Sequence, residues 1–182
     1  MKLIGLVGRA GAGKTTVAEY LVEYYGFTRT AFGDPLKQML LEAGMCSREE
    51  LWGHKTERSR WLLQKIGTDI LRKQVDPKFW VRKTAENVHR LFDKGFRVVI
   101  DDIRFPEEAS MVKAFLREGC LIKLERIGHV DVMAGTTHES ESLVDTIEAD
   151  HVIRADSGEV QKLLRCVEEI VGERPMKMKG GE

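Results

Sequence analysis

At 182 residues the chain has the length of one domain with a substantial core. Its 29 Lys and Arg balance 29 Asp and Glu, which argues against a protein that holds nucleic acid or another polyanion through bulk charge, a local basic patch aside. No apolar run reaches the roughly 18 residues of a membrane-spanning helix, and the first residues read as a core strand rather than a signal peptide. Three scattered cysteines, Cys46, Cys120 and Cys166, lack metal or redox spacing. They suit a reducing cytosol, so a cytoplasmic protein whose thiols act as small buried hydrophobes is expected.

Residues 2–7 form an apolar strand. Gly8-Arg9-Ala10-Gly11-Ala12-Gly13-Lys14-Thr15 follows, which is G-x-x-x-x-G-K-T in full, and a helical pattern runs over 14–25 with Val17, Ala18, Leu21 and Val22 inward. Strand, glycine loop and helix form the context in which this spacing binds phosphate. Glycines let backbone N–H groups approach phosphate oxygens, and the helix N-terminus adds its positive dipole. Lys14 would reach the β- and γ-phosphates, and the Thr15 hydroxyl would ligate Mg²⁺.

Gly26 ends that helix and a second strand spans 27–32. In Gly33-Asp34-Pro35, Asp34 is placed to cap a short helix over 36–43, with Pro35 at its first position. Capping alone would account for Asp34, although it also falls at a strand's carboxyl end. Ser47-Arg-Glu-Glu50 reads as a capping box, and the polar stretch 52–60 has no clear assignment. A long helix is expected from Glu57 to Gln74, with Leu62, Leu63, Ile66, Ile70 and Leu71 inward. Gly67 inside it costs roughly 1 kcal/mol against alanine, which suggests close approach by another group. Asp69 and Arg72 share one face by helical spacing.

Asp76-Pro77 opens the next helix, whose stripe is Trp80, Val81, Thr84, Val88, Leu91 and Phe92. Trp80 reads more readily as core or rim than as a base-stacking platform. The strand 97–101 ends in Asp101-Asp102, a carboxylate position that holds Mg²⁺ beside a phosphate loop, and Arg104 follows. Pro106 opens a helix in which Glu107 and Glu108 favour the dipole. After Gly119 come a strand over 120–124 ending at Glu125-Arg126, an irregular stretch 128–137 that suits a cover over a site, His138-Glu-Ser-Glu141, and a strand 151–153. Ser157 is placed to cap a last amphipathic helix with Val160, Leu163, Leu164, Val167 and Ile170 inward. Residues 173–182 read as a frayed tail.

Five apolar strands alternating with helices predict a three-layer α/β/α fold with a five-stranded parallel sheet, its site at the strands' carboxyl ends. One domain over 1–172 is expected, with Asp34, Asp102, Arg104 and Arg126 all at that end.

The chain resembles the phage-type deoxynucleoside monophosphate kinases of the P-loop nucleotide-kinase superfamily over residues 1–171. The resemblance rests on the phosphate loop, Phe32-Gly-Asp-Pro-Leu-Lys37, Gln64-Lys-Ile-Gly-Thr-Asp69 with Arg72, and Asp76-Pro-Lys-Phe-Trp80. It continues in Val99-Ile-Asp-Asp-Ile-Arg-Phe-Pro-Glu-Glu-Ala109, His138-Glu-Ser-Glu141 and Asp150-His-Val-Ile153. It implies transfer of the ATP γ-phosphoryl group to a (deoxy)nucleoside monophosphate, with ATP and Mg²⁺ as cofactors, small-molecule nucleotides as partners, and neither nucleic acid nor membrane; a homodimer is compatible with it. Gly8 to Thr16 would hold the ATP phosphates. Thr15 and Asp102 would serve the metal, with Asp102 favoured over Asp101. A helical insertion over about 34–94 would carry the acceptor side.

By the same resemblance Asp34, Lys37, Asp69, Arg72, Trp80, Arg104, Glu108, His138 and Glu141 would line the acceptor, with a lid over about 126–142. Lys14, Asp102 and the arginines Arg72, Arg104 and Arg126 would act on the transferred group. Between Arg126 and Glu141 there is no further arginine, so the charge stabilisation expected of an arginine-rich lid falls to Arg126, Arg72 or Arg9. Dephospho-coenzyme A kinase and phosphomevalonate kinase are the alternatives within the same chemistry. A nucleotide-binding switch module is the alternative outside it, although the Asn-Lys-x-Asp guanine-reading motif is missing.

Overall fold

The structure is a computed structural model that describes residues 1–127, 143–156 and 158–172. It divides into two compact units, Met1–Thr30 with Arg90–Glu182, and Ala31–His89.

In the first unit β1 (Leu3–Val7), β2 (Phe27–Thr30), β3 (Arg97–Ile103), β4 (Gly119–Ile127) and β5 (His151–Asp156) form a sheet ordered β2-β3-β1-β4-β5. Every pairing is parallel. β1 sits at its centre and all five of its residues are buried, as parallel strands covered on both faces require. On one face α1 (Lys14–Tyr25) and α7 (Val160–Val171) pack Val17, Ala18, Leu21, Leu163 and Val167 against Ile4, Leu6, Val99, Ile122, Leu124 and Ile153. On the other, α6 (Pro106–Ala114) brings Val112 beside Ile103 and Leu121 over Gly5. The three-layer expectation holds. Each such fully buried aliphatic side chain contributes about 1.5–3 kcal/mol of transfer free energy, so the central strands fix the frame.

Particular residues depart from the expected pattern. Val22 is 40% exposed, and Tyr20 and Tyr25 are buried in its place. The helix meets α7 as well as the sheet, and the Tyr20 hydroxyl donates to the Glu168 carboxylate, which turns the buried stripe. Val160 is exposed for a similar reason: α7 seats itself through Leu163 and Val167. β3 runs on to Ile103, so Asp101 and Asp102 lie within it. The β1–β3 register passes from Gly5↔Ile100 to Val7↔Ile103, which places both acids in a bulge opposite Leu6. The helix after Pro106 ends at Ala114, and Gly119 follows a 3₁₀ turn, Leu116–Glu118, to begin β4. β5 extends to Asp156. Ser157 and the tail from 173 lie outside the described residues.

The second unit is helical: α2 (Asp34–Glu42), α3 (Arg48–Trp52), α4 (Glu57–Gln64), and the first part of α5 (Phe79–Asp93). α3 carries the expected capping box, with Glu50 N–H donating to Ser47 Oγ (3.2 Å) and Ser47 N–H to Glu50 Oε2 (2.9 Å). In the stretch left unassigned above, Thr56 caps α4 through Ser59 N–H at 3.1 Å. The expected long α-helix to Gln74 becomes a π-helix over Lys65–Val75. It closes with Asp76 N–H donating to Leu71 C=O five residues back (2.8 Å). The wider turn shifts the apolar face, and Ile70, expected inward, is 38% exposed.

Gly67 is buried within this helix. A Cβ there would lie 2.5 Å from Leu36 Cδ2, and its carbonyl accepts the Trp80 indole N–H at 2.9 Å. The glycine is therefore kept for close packing, at the expense of helix propensity. Gly67→Ala is expected to destabilise by about 1 kcal/mol in urea unfolding, since overpacking against buried Leu36 outweighs the propensity gain. Burial, and then the Asp150 carboxylate, push the Cys120 thiol up to about 11, and Cys46 is also buried. Iodoacetamide at pH 8 is expected to label the half-buried Cys166 well before either, read by peptide mass mapping.

Candidate active site

The glycine loop leaves β1 at the sheet's carboxyl end, where open parallel sheets bind ligands. Gly8 passes so close to β4 that a Cβ would meet Leu124 O at 2.7 Å, and Gly13 holds φ 92° at the cap of α1. A glycine cap supplies no side-chain hydrogen bond, and the first turn of α1 holds no acid. The helix's first N–H groups and its positive end are thus presented by backbone alone, which is the arrangement that receives an anion.

Cations gather on this loop. Lys14 Nζ donates to Gly8 O (2.6 Å) and Arg9 O (2.8 Å). Arg126, near the end of β4, donates from Nη1 to Gly11 O at 3.4 Å. Arg9 pairs with Asp145 through Nη2 (2.6 Å) and Nε (3.3 Å). Arg9's hydrogen bonds hold the Asp145 carboxyl below its ordinary range, against a smaller opposing push from desolvation. A carboxyl lowered in this way contributes its stabilisation fully above the ordinary carboxylate value and loses it only as pH falls through the lowered one. Both partners are about half exposed, so that contribution is small.

At the bulge in β3 the two acids differ. Asp101 is buried: Oδ2 accepts from Arg29 Nε at 2.8 Å, and Oδ1 is buried with no hydrogen-bond partner among the described residues. Asp102 is half-buried. Two residues on, Arg104 starts the turn into α6, and Glu108 fixes that turn. Its buried carboxylate accepts from Arg104 N–H (2.9 Å) and Phe105 N–H (3.2 Å). Glu108, expected on the acceptor, thus has its carboxylate engaged with the backbone of Arg104.

In the second unit Asp34 is not the cap of α2. Gly33 takes that position, and Asp34 lies in the first turn without a capping bond. Its Oδ1 lies 3.5 Å from Lys37 Nζ, so the expected Asp34 and Lys37 do come together. Lys37 Nζ in turn stands 5.5 Å from the centre of the Trp52 ring, and the Arg48 guanidinium 5.2 Å from it. On the π-helix Asp69 pairs with Lys65 (3.6 Å) and Lys73 (3.9 Å), the i±4 neighbours, while Arg72 on the same helix is half-buried. Trp80 is buried with its N–H on Gly67 and presents no open ring face to a base. His138 and Glu141, and the lid expected to end with them, lie outside the described residues apart from Arg126 and Ile127.

Some members were missed from sequence. Arg29 lies on an edge strand among ordinary threonines, and Trp52 lies in a polar stretch with no periodicity. Lys123 is 8% exposed within an apolar strand and donates to Asp145 O (3.0 Å) and Ile147 O (3.3 Å). A lysine inside the run Cys120–Leu124 was the one available signal, because an unpaired ammonium is too costly to bury there.

A family model described as deoxynucleotide monophosphate kinase matches residues 47–167. A protein of Acanthamoeba polyphaga mimivirus that carries the deoxynucleotide monophosphate kinase name is 31% identical, covering 92% of this chain and 97% of its own. Among solved structures, dephospho-CoA kinase from Campylobacter jejuni has the same fold at 16% identity. That match covers 93% of this chain and 96% of that one, with a TM-score of 0.54.

The buried acid gives a direct test. Arg29→Met leaves Asp101 without its cation and is expected to cost about 2 kcal/mol in urea unfolding, less than a fully buried pair because Arg29 is partly exposed. Adding Asp101→Asn to Arg29→Met is expected to recover part of that loss.

Proposed function

Because the chain belongs to the deoxynucleotide monophosphate kinase family and so transfers a phosphoryl group to a nucleoside monophosphate, we propose that ATP with Mg²⁺ is its donor and that the glycine loop holds the ATP phosphates. The observation that carries this reading is the gathering of Lys14, Arg9 and Arg126 on one loop whose helix N-terminus is bare of side-chain caps. Transfer between phosphates needs charge neutralisation and in-line placement more than covalent chemistry. Lys14 neutralises the β- and γ-phosphates, and Arg126, Arg104 and Arg72 take up charge on the transferred group. An ionised acceptor phosphate needs no general base.

The donor set fits Mg²⁺. Magnesium binds through one or two carboxylates together with substrate phosphates and water, and β3 offers Asp102 and the buried, unpartnered Oδ1 of Asp101. Thr15 and Asp102 would hold it, with Asp101 beside them. When bound it supplies positive charge to the phosphoryl oxygens. Asp34, Lys37, Asp69 and Arg72 recognise the acceptor nucleotide, with Lys37 giving its charge to the monophosphate. Glu108 and Trp80 serve indirectly, the one by fixing the backbone at Arg104, the other by fixing Gly67. Among the described residues no helix is long and apolar enough to cross a membrane.

The test is a coupled ADP-release assay with ATP, Mg²⁺ and each deoxy- and ribonucleoside monophosphate. Turnover with at least one deoxynucleotide is expected, reduced at least about 100-fold in Lys14→Ala, the scale seen when one preorganised charge donor is removed. Turnover that is unaffected by Lys14→Ala or by removal of Mg²⁺ would refute the donor assignment. An Arg126→Ala enzyme with unchanged kcat would exclude Arg126 from the transferred group.

A further inference from the structure

The phosphate loop contains a second cation besides its lysine, and this chain supplies that cation with an anion of its own. Arg9 is held by Asp145 through two nitrogens, at 2.6 Å and 3.3 Å. The backbone of Asp145 is anchored. Residues 143–145 are helical, and buried Lys123 donates to the carbonyl of Asp145, the last of them, and to that of Ile147. Lys123 lies opposite Val7 in the β1–β4 register, immediately before Gly8. The anchor therefore stands at the root of the loop that carries Arg9.

The side chains of the pair, by contrast, are well exposed to solvent. Arg9 is 43% exposed and Asp145 54%, so the pair can exchange at little cost. A guanidinium binds a carboxylate and a phosphate through the same forked geometry. Lys14 shows the same pattern in the same loop, since it rests on the carbonyls of Gly8 and Arg9.

We propose that Asp145 is the internal counter-ion of Arg9 and competes with nucleotide phosphate for it, so that donor binding moves the guanidinium from this carboxylate to a phosphate oxygen. The inference rests on the reading that the loop binds ATP. Asp145 then acts as a positioning residue: it holds Arg9 beside the loop before nucleotide arrives, and it makes nucleotide binding weaker than the loop alone would give.

The experiment is titration calorimetry of the full chain with MgADP and with a non-hydrolysable MgATP analogue. The proteins compared are the wild type, Asp145→Asn, Asp145→Ser, Arg9→Gln and the Arg9→Gln/Asp145→Asn double variant. Releasing Arg9 is expected to tighten binding about two- to fivefold in both Asp145 variants, the range an exposed ion pair allows. The gain is expected to vanish in the Arg9→Gln background. Unchanged or weaker binding in the Asp145 variants, or an equal gain without Arg9, overturns the inference. A wild type that binds neither nucleotide overturns the ATP reading itself and this inference with it, whereas normal wild-type binding with an unaltered Asp145→Asn overturns this inference alone.

Discussion

The approach of the Gly8 backbone to β4 is the constraint on which the first unit depends. The loop can curl over the sheet's carboxyl end only if it leaves β1 hard against Leu124 O, where a Cβ would sit at 2.7 Å. That in turn requires β1 to be immobile. Its five residues are buried between β3 and β4, and helices cover both faces. Packing of ordinary aliphatic side chains thus sets the position of a loop that is itself exposed at Arg9, Ala10 and Gly11. The free energy comes from the core, and the loop contributes geometry.

Charge is then arranged around that geometry by residues from distant parts of the chain. Arg126 comes from β4, Asp145 from the turn before β5, and Asp101 and Asp102 from the bulge in β3. Three buried charged side chains each have partners, Asp101 in Arg29, Glu108 in the N–H groups of Arg104 and Phe105, and Lys123 in two carbonyls. An unpaired buried charge costs several kcal/mol, so each such pairing is an obligation of the fold as much as a feature of the site. Oδ1 of Asp101, which has no partner among the described residues, is the part of that obligation left over.

The second unit works by different means. Two of its short helices, α3 and α4, start on side-chain caps, Ser47 with Glu50 and Thr56 with Ser59. Its π-helix is packed closely at one glycine: Leu36 lies against Gly67, and the Trp80 indole N–H is held by the Gly67 carbonyl. Asp69 on it pairs with Lys65 and Lys73, the i±4 neighbours that helical spacing brings together.

What the chain's order of residues determined by itself was everything carried by local rules. The phosphate loop, the strand–loop–helix context, the five strands, the Ser47 capping box and the packing role of Gly67 all follow from spacing, glycine chemistry and apolar periodicity, because those act over a few residues. The family was legible as well, since it rests on short motifs in a fixed order. Tertiary structure alone decided what depends on two distant segments meeting. The bulge put two acids inside β3 where a strand end was expected. Gly33 took the cap from Asp34, and Glu108 turned to the backbone of Arg104. The π-helix exposed Ile70, and α7 drew Tyr20 inward in place of Val22. The pairs Arg29–Asp101 and Arg9–Asp145 join residues 72 and 136 positions apart. No local pattern encodes such a partner, because ion pairing depends on distance in space and the chain brings those residues together only when the whole sheet has formed.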